Sequence, residues 1–172
     1  MSQELGRNIF AATKKASKEI SRFRPKPEQG LEHLEPYFNI DSIDGLKKPG
    51  SDIILCLYSA TVADCYREKG DIVSAAQWYK RASTFRICGG FPNLYAQMVI
   101  KHRLSDYYKN ALMCIEQGRK EWKSMPLYKR IYYWLVSLKL NLNHPWEIPK
   151  IVSLELRAKG FEQELKLLTF RN

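Results

Sequence analysis

Apolar residues recur at helical spacing along nearly the whole chain. Leu5, Ile9, Ala12, Ala16 and Ile20 share one face of a helix predicted over residues 3–23, with lysines on the opposite face. Arg24-Pro25-Lys26-Pro27 stops it, and Pro27 is placed to open a short second helix to about residue 38. Residues 39–50 hold two glycines, Pro49 and two aspartates and read as a loop. Ser51 suits the cap of a helix over 52–69, and Gly70-Asp71 ends that helix and caps the next, over 72–86. Gly89-Gly90 breaks the chain again. Pro92 starts a helix to 103, Ser105 caps another to 120, and Ser124 with Pro126 begins an aromatic-rich helix to 142. Asn143-His144-Pro145 closes that helix, a short one over 147–159 ends at Gly160, and residues 161–170 form a last one. No stretch alternates apolar with polar as a half-buried strand does. The pattern predicts an all-α chain of about eight or nine helices joined by short connections.

Composition narrows this reading. With 172 residues, 45% apolar and 12% aromatic, the chain can bury one sizeable core, and a single domain over 1–172 is expected. Within it, residues 1–50 supply capping helices and a loop, 51–160 the hairpins and 161–172 a tail helix. No apolar run approaches the ~20 residues of a membrane-spanning helix, and no signal-peptide core follows the basic N-terminus; a cytoplasmic location is expected. Cys56, Cys65, Cys88 and Cys114 lie in apolar patterns without C-x-x-C spacing, which suits reduced, structural thiols. His33, His102 and His144 are isolated, so neither a metal nor a cofactor is expected.

Within the chain a spacing recurs. Val62-Ala63, Tyr66, Gly70, Ala75, Tyr79 and Ala82 are followed 36 residues later by Met98-Val99, His102, Asp106, Ala111, Ile115 and Gly118. Alanines at 63, 75 and 82 let two helices cross closely, the tyrosines fill the space beside them, and Gly70 permits a tight turn. Residues 56–89 resemble the tetratricopeptide repeat, a helix-turn-helix unit with small residues, aromatics and a glycine at these positions. Residues 92–125 resemble it more weakly, with His102 for the aromatic and Asp106 for the glycine, and 128–160 only as a hairpin. The looser spacing is also similar to the divergent SNAP-type group of vesicle-fusion adaptors. Neither clear unit begins with the family's Trp-x-x-Leu-Gly.

The resemblance implies a right-handed superhelix of antiparallel hairpins, whose first helices line a concave groove that holds a protein or peptide. By register, the groove takes Leu57, Ala60, Thr61, Asp64, Arg67 and Glu68 from the first unit. The second supplies Asn93, Ala96, Gln97, Ile100, Arg103 and Leu104, and the third Lys129, Tyr132, Tyr133, Val136, Lys139 and Leu140. Partner binding is expected to centre on Asp64, Arg67, Gln97, Arg103, Lys129, Tyr132 and Tyr133, because Tyr and Arg anchor interfaces. Ala60 and Asp64 stand where the carboxylate-clamping members of the family carry Lys and Asn, which argues against that mode. The expected role is a non-catalytic adaptor or chaperone-like module.

Charge supplies the alternatives. The formal net charge is +10, and residues 101–150 carry 10 basic against 4 acidic groups. Arg119, Lys120, Lys123 and Arg130, beside Trp122 and Tyr128, are candidates for RNA or DNA binding. Residues 1–26 form a second basic patch, whose amphipathic helix suits either a cap on the stack or a peripheral membrane contact. Acidic proteins, nucleic acids, anionic membranes and a second copy of the chain are all admissible partners. Catalysis has the least support: no nucleophile elbow, zinc-protease helix or phosphate loop is present, and Asp64 with Glu68 reads as a solvated face beside Arg67.

Overall fold

The computed structural model describes residues 2–40, 51–84, 90–128, 130–131 and 154–171. Lys129, Tyr132 and Tyr133 lie outside them, as do Val136, Lys139 and Leu140. The described residues are helical with no strand, in keeping with the all-α expectation. They form α1 (Ser2–Ile20), α2 (Pro27–Leu34), a 3-10 turn (Glu35–Tyr37), α3 (Ser51–Lys69) and α4 (Ile72–Thr84). Then follow α5 (Gly90–Lys101), a second 3-10 turn (Ser105–Tyr107), α6 (Tyr108–Ser124) and α7 (Leu154–Arg171). The chain divides into two compact units, Met1–Ile87 and Cys88–Asn172.

The first unit is built on α3, which packs against α1, α2 and α4. The stripe read from the sequence becomes its core: Ile9, Ala12 and Ala16 of α1 meet Leu34 of α2 and Leu55, Tyr58, Val62 and Cys65 of α3. Burying a side chain such as Ile9 contributes about 1.5–3 kcal/mol. The Tyr58 hydroxyl donates to the Leu34 carbonyl at 3.1 Å, so a phenol can lie in the core without an unmade hydrogen bond. Trp78 of α4 lies against Phe38 and Tyr58, with the Arg81 guanidinium 4.8 Å above its ring. Arg81 also donates to the Phe38 and Ile40 carbonyls, tying α4 to the chain after the first 3-10 turn. Gly30 is required where α2 approaches α3, because a Cβ there would sit 2.8 Å from the Cys65 Sγ.

α1 stops at Ile20 rather than continuing to 23, and the Lys26 N–H donates to the Glu19 carbonyl as the chain turns. The predicted second helix gives way after Leu34 to a 3-10 turn around Pro36. In the second unit, Tyr95, Ala96 and Val99 of α5, Ala111 and Ile115 of α6, and Leu165 of α7 are buried.

Both helical hairpins turn in the same way. At the end of α3 the Asp71 N–H donates to the Tyr66 carbonyl and the Gly70 N–H to Arg67, with Gly70 at φ +87°. At the end of α5 the Leu104 N–H donates to Val99 and the Arg103 N–H to Ile100, with Arg103 at φ +52°. Each is the two-bond C-terminal cap that normally takes glycine at the left-handed position. This corrects the alignment made from sequence. Arg103, not Asp106, holds the place of Gly70, and Val99, not His102, the place of Tyr66; His102 and Asp106 are exposed. α5 follows α3 by 33 residues, whereas α6 follows α4 by 36.

The 3-10 turn Ser105–Tyr107 accounts for the difference. Such a turn closes in three residues, so it advances the chain by about 6 Å and returns it to the same azimuth. Ala111, Ile115 and Gly118 of α6 therefore keep the face that Ala75, Tyr79 and Ala82 occupy on α4, all but half-buried Gly118 being buried.

Candidate functional site

The ridge of α3 that remains in solvent carries the largest share of the predicted groove residues. Leu57, Thr61, Asp64 and Glu68 are spaced as neighbours on one helical face. Leu57 is 40% exposed, and Ala60, which was expected beside it, is buried at 7%. Asp71, directly after the turn, accepts from the Ser74 N–H at 3.1 Å and so caps α4, which holds Tyr79 under the ridge.

There the charges meet. The Tyr79 hydroxyl donates to Asp64 Oδ1. Arg67 Nη1 lies 2.8 Å from both the Tyr79 hydroxyl and Asp64 Oδ1, and Nη2 lies 3.1 Å from Glu68 Oε1. Burial raises the Asp64 carboxyl above its ordinary value, with Arg67 and the Tyr79 hydrogen bond pulling the other way. Burial, with Asp64 next, pushes the Tyr79 phenol well above 10. Asp64 and Arg67, both predicted as partner contacts, are thus engaged with each other and with the core, and what they present outward is a cluster of net charge −1. Exposed pairs of this kind contribute about 0–1 kcal/mol, so the network orients side chains more than it stabilises the fold.

In the second unit the 33-residue register puts Leu94, Gln97 and Lys101 at the positions of Thr61, Asp64 and Glu68, and all three are exposed. Asn93 and Ala96, expected in the groove, are buried at 2% and 0%: in this register they match Ala60 and Ala63, which are buried in the first unit as well. Leu94 and Lys101 were missed because the sequence alignment slipped by three residues, and the arginine at a cap position that glycine normally marks gave no signal of it. Gln97 is where predicted and accepts from Arg157 Nη2 of α7 at 3.3 Å. Arg103 is exposed, but its backbone role in the turn is now its first function.

The residues proposed for nucleic acid separate. Arg119 pairs with Glu162 of α7, Glu162 is shared with Lys166 at 2.6 Å, and Lys166 reaches Glu116 at 3.2 Å. Hydrogen bonds from Lys166 first, and then from Arg119, lower the Glu162 carboxyl. One cation of the basic set, Arg119, is thereby matched within the fold, leaving Lys120 and Lys123 exposed and Arg130 half-buried. Buried Cys65, its thiol pushed up to about 12 by burial, behaves as a core side chain. Among the described residues no group of His, Cys, Asp or Glu is placed to hold a metal ion, and no helix is long and apolar enough to cross a membrane. Comparisons with protein-family models, curated proteins and solved structures find no match to this chain.

Proposed function

We propose that the chain is a non-catalytic protein-binding module of the tetratricopeptide type, an adaptor that recognises a partner through the exposed ridges of its first helices. The observation that carries this reading is the recurrence of one construction. In each hairpin a two-bond cap closes the turn, small residues are buried where the helices meet, and a ridge of matching positions reaches the surface: Thr61 and Leu94, Asp64 and Gln97, Glu68 and Lys101, of which Thr61 and Asp64 are half-buried and the rest exposed. The first ridge is acidic at its C-terminal end and the second basic. The first ridge suits a basic group beside an apolar one that meets Leu57, and the second an acidic group beside an apolar one that meets Leu94.

The test is affinity purification from the native host, with and without nuclease, using the wild-type chain and the variant Leu57→Asp, Thr61→Arg, Leu94→Asp. All three positions are solvent-accessible, so the helical circular dichroism is expected to be unchanged while the captured protein is lost. Retention of the same partner by the variant, or capture that disappears with nuclease, overturns the proposal.

A further inference from the structure

The helix that the sequence left between two roles, cap or membrane contact, has separate surfaces for each. Its apolar stripe is wholly engaged: Ile9 and Ala16 are 0% exposed, Ala12 is buried, and Leu5 and Ile20 pack against the same core. The opposite face is basic. Arg7, Lys14 and Lys18 stand in line at spacings of seven and four, diametrically across from Ile9, and all are exposed. They make no ion pair among the described residues, and neither do Lys15, Arg24 or Lys26. The acidic residues of this segment do not offset them: Glu19 is held by Arg22 at 2.8 Å, and Glu4 lies one turn before the ridge begins.

Two further features flank the ridge. On one side Phe10 is 49% exposed, and where the helix has ended Phe23 is 100% exposed between Arg22 and Arg24. Phenylalanine has no polar handle to satisfy in water, so each is an apolar group left in solvent among the cations of this segment. On the other side a depression of about 250 Å³ between α1 and α2 is lined by Asn8, Lys15, His33 and Tyr37, together with Ala11 and Ala12. Its four polar side chains carry donors of the kind that phosphate oxygens accept.

We infer that the outward face of α1, with the chain as far as Lys26, docks on the headgroup plane of an anionic phospholipid bilayer. Charge selects an anionic surface. Shape selects the bilayer over nucleic acid: the ridge is a single convex helix about 16 Å long from Arg7 to Lys18, with no groove to track a strand. A flat charged plane meets all of its cations at once while Phe10 and Phe23 enter the interface. The docking needs no insertion of the apolar stripe, since the helix keeps that stripe in the protein core and offers the membrane only its basic side. It is independent of the partner-binding reading, because no residue of the α3 or α5 ridges takes part.

The test is co-sedimentation of the full chain with vesicles of phosphatidylcholine alone or with about 30% phosphatidylserine. Binding is expected only with the anionic lipid, and weakened as salt rises from about 0.1 M to about 0.5 M. Arg7→Gln, Lys14→Gln, Lys18→Gln together lower the partition coefficient about a hundredfold, at about fivefold per cation. Phe23→Ser, at a fully solvated position that cannot disturb the fold, lowers it about tenfold. Lys69→Gln, Lys109→Gln, Lys159→Gln removes the same charge elsewhere and changes it by no more than about twofold. Equal binding to uncharged vesicles, no binding to either kind, or wild-type binding by the first triple variant overturns the inference. So does binding to a single-stranded oligoribonucleotide in the absence of vesicle binding.

Discussion

Asp64 and Asp71 lie on either side of the first turn, and their surroundings shift them in opposite directions. Asp64 is raised, chiefly by burial, so its contribution to stability is fully present below about pH 3.8 and is lost as pH rises through the raised value. Asp71 is lowered, chiefly by the Ser74 hydroxyl that donates to it, so its contribution is present above about pH 3.8 and is lost as pH falls through the lowered value. Urea unfolding at pH 3 and pH 7 separates them. The penalty of Asp64→Asn is expected to be smaller at pH 7 than at pH 3, and that of Asp71→Asn larger. Equal penalties at both pH values would contradict this assignment of the two environments. Gly70 and Asp71 were readable in the sequence because turn chemistry restricts both positions. Arg103 was not: a non-glycine residue in the left-handed region gives no sign of it, and the three-residue slip in the second unit follows from that one silence.

At the level of elements, the hydrophobic stripes of α1 and α4 were legible because a helix must bury one face, and periodicity names that face. What periodicity does not name is the distance between helices. Gly30 shows this: read as one residue of a short helix, it is the point at which α2 comes against Cys65 of α3. Gly30→Ala is expected to destabilise the chain by about 1–3 kcal/mol through that overlap. Cys65→Ala leaves a small void and is also unfavourable alone, but it removes the very atom the new methyl would strike. The double variant is therefore expected to be less destabilised than the sum of the singles by about 1 kcal/mol or more, measured by denaturant midpoints in a double-mutant cycle. Strict additivity would mean that α2 simply shifts away. The ion pairs of α6 with α7 were likewise hidden, since Glu116, Glu162 and Lys166 acquire their partners only when two separate helices pack.

For the molecule as a whole, the sequence announced helices and a recurring hairpin, and placed an excess of positive charge in its third quarter. It could not announce that part of that excess is matched within the fold, or that the first helix retains its basic side for solvent while its alanines close the core. Candidate contacts Asp64, Arg67 and Gln97 turned out to have partners inside their own units, because long polar side chains on a helix reach the nearest opposite group before they reach anything else. The spacer of three residues before α6 carries a rule about how this chain can change in length. Each residue of a 3-10 turn contributes about 120° of rotation. Removing Ser105, Asp106 and Tyr107 together should leave α6 seated on α5 with its melting cooperative, whereas removing Asp106 alone should swing Ala111 and Ile115 out of contact and abolish that cooperativity. Insertions and losses here are quantised like codons, harmless in triplets and ruinous in ones and twos.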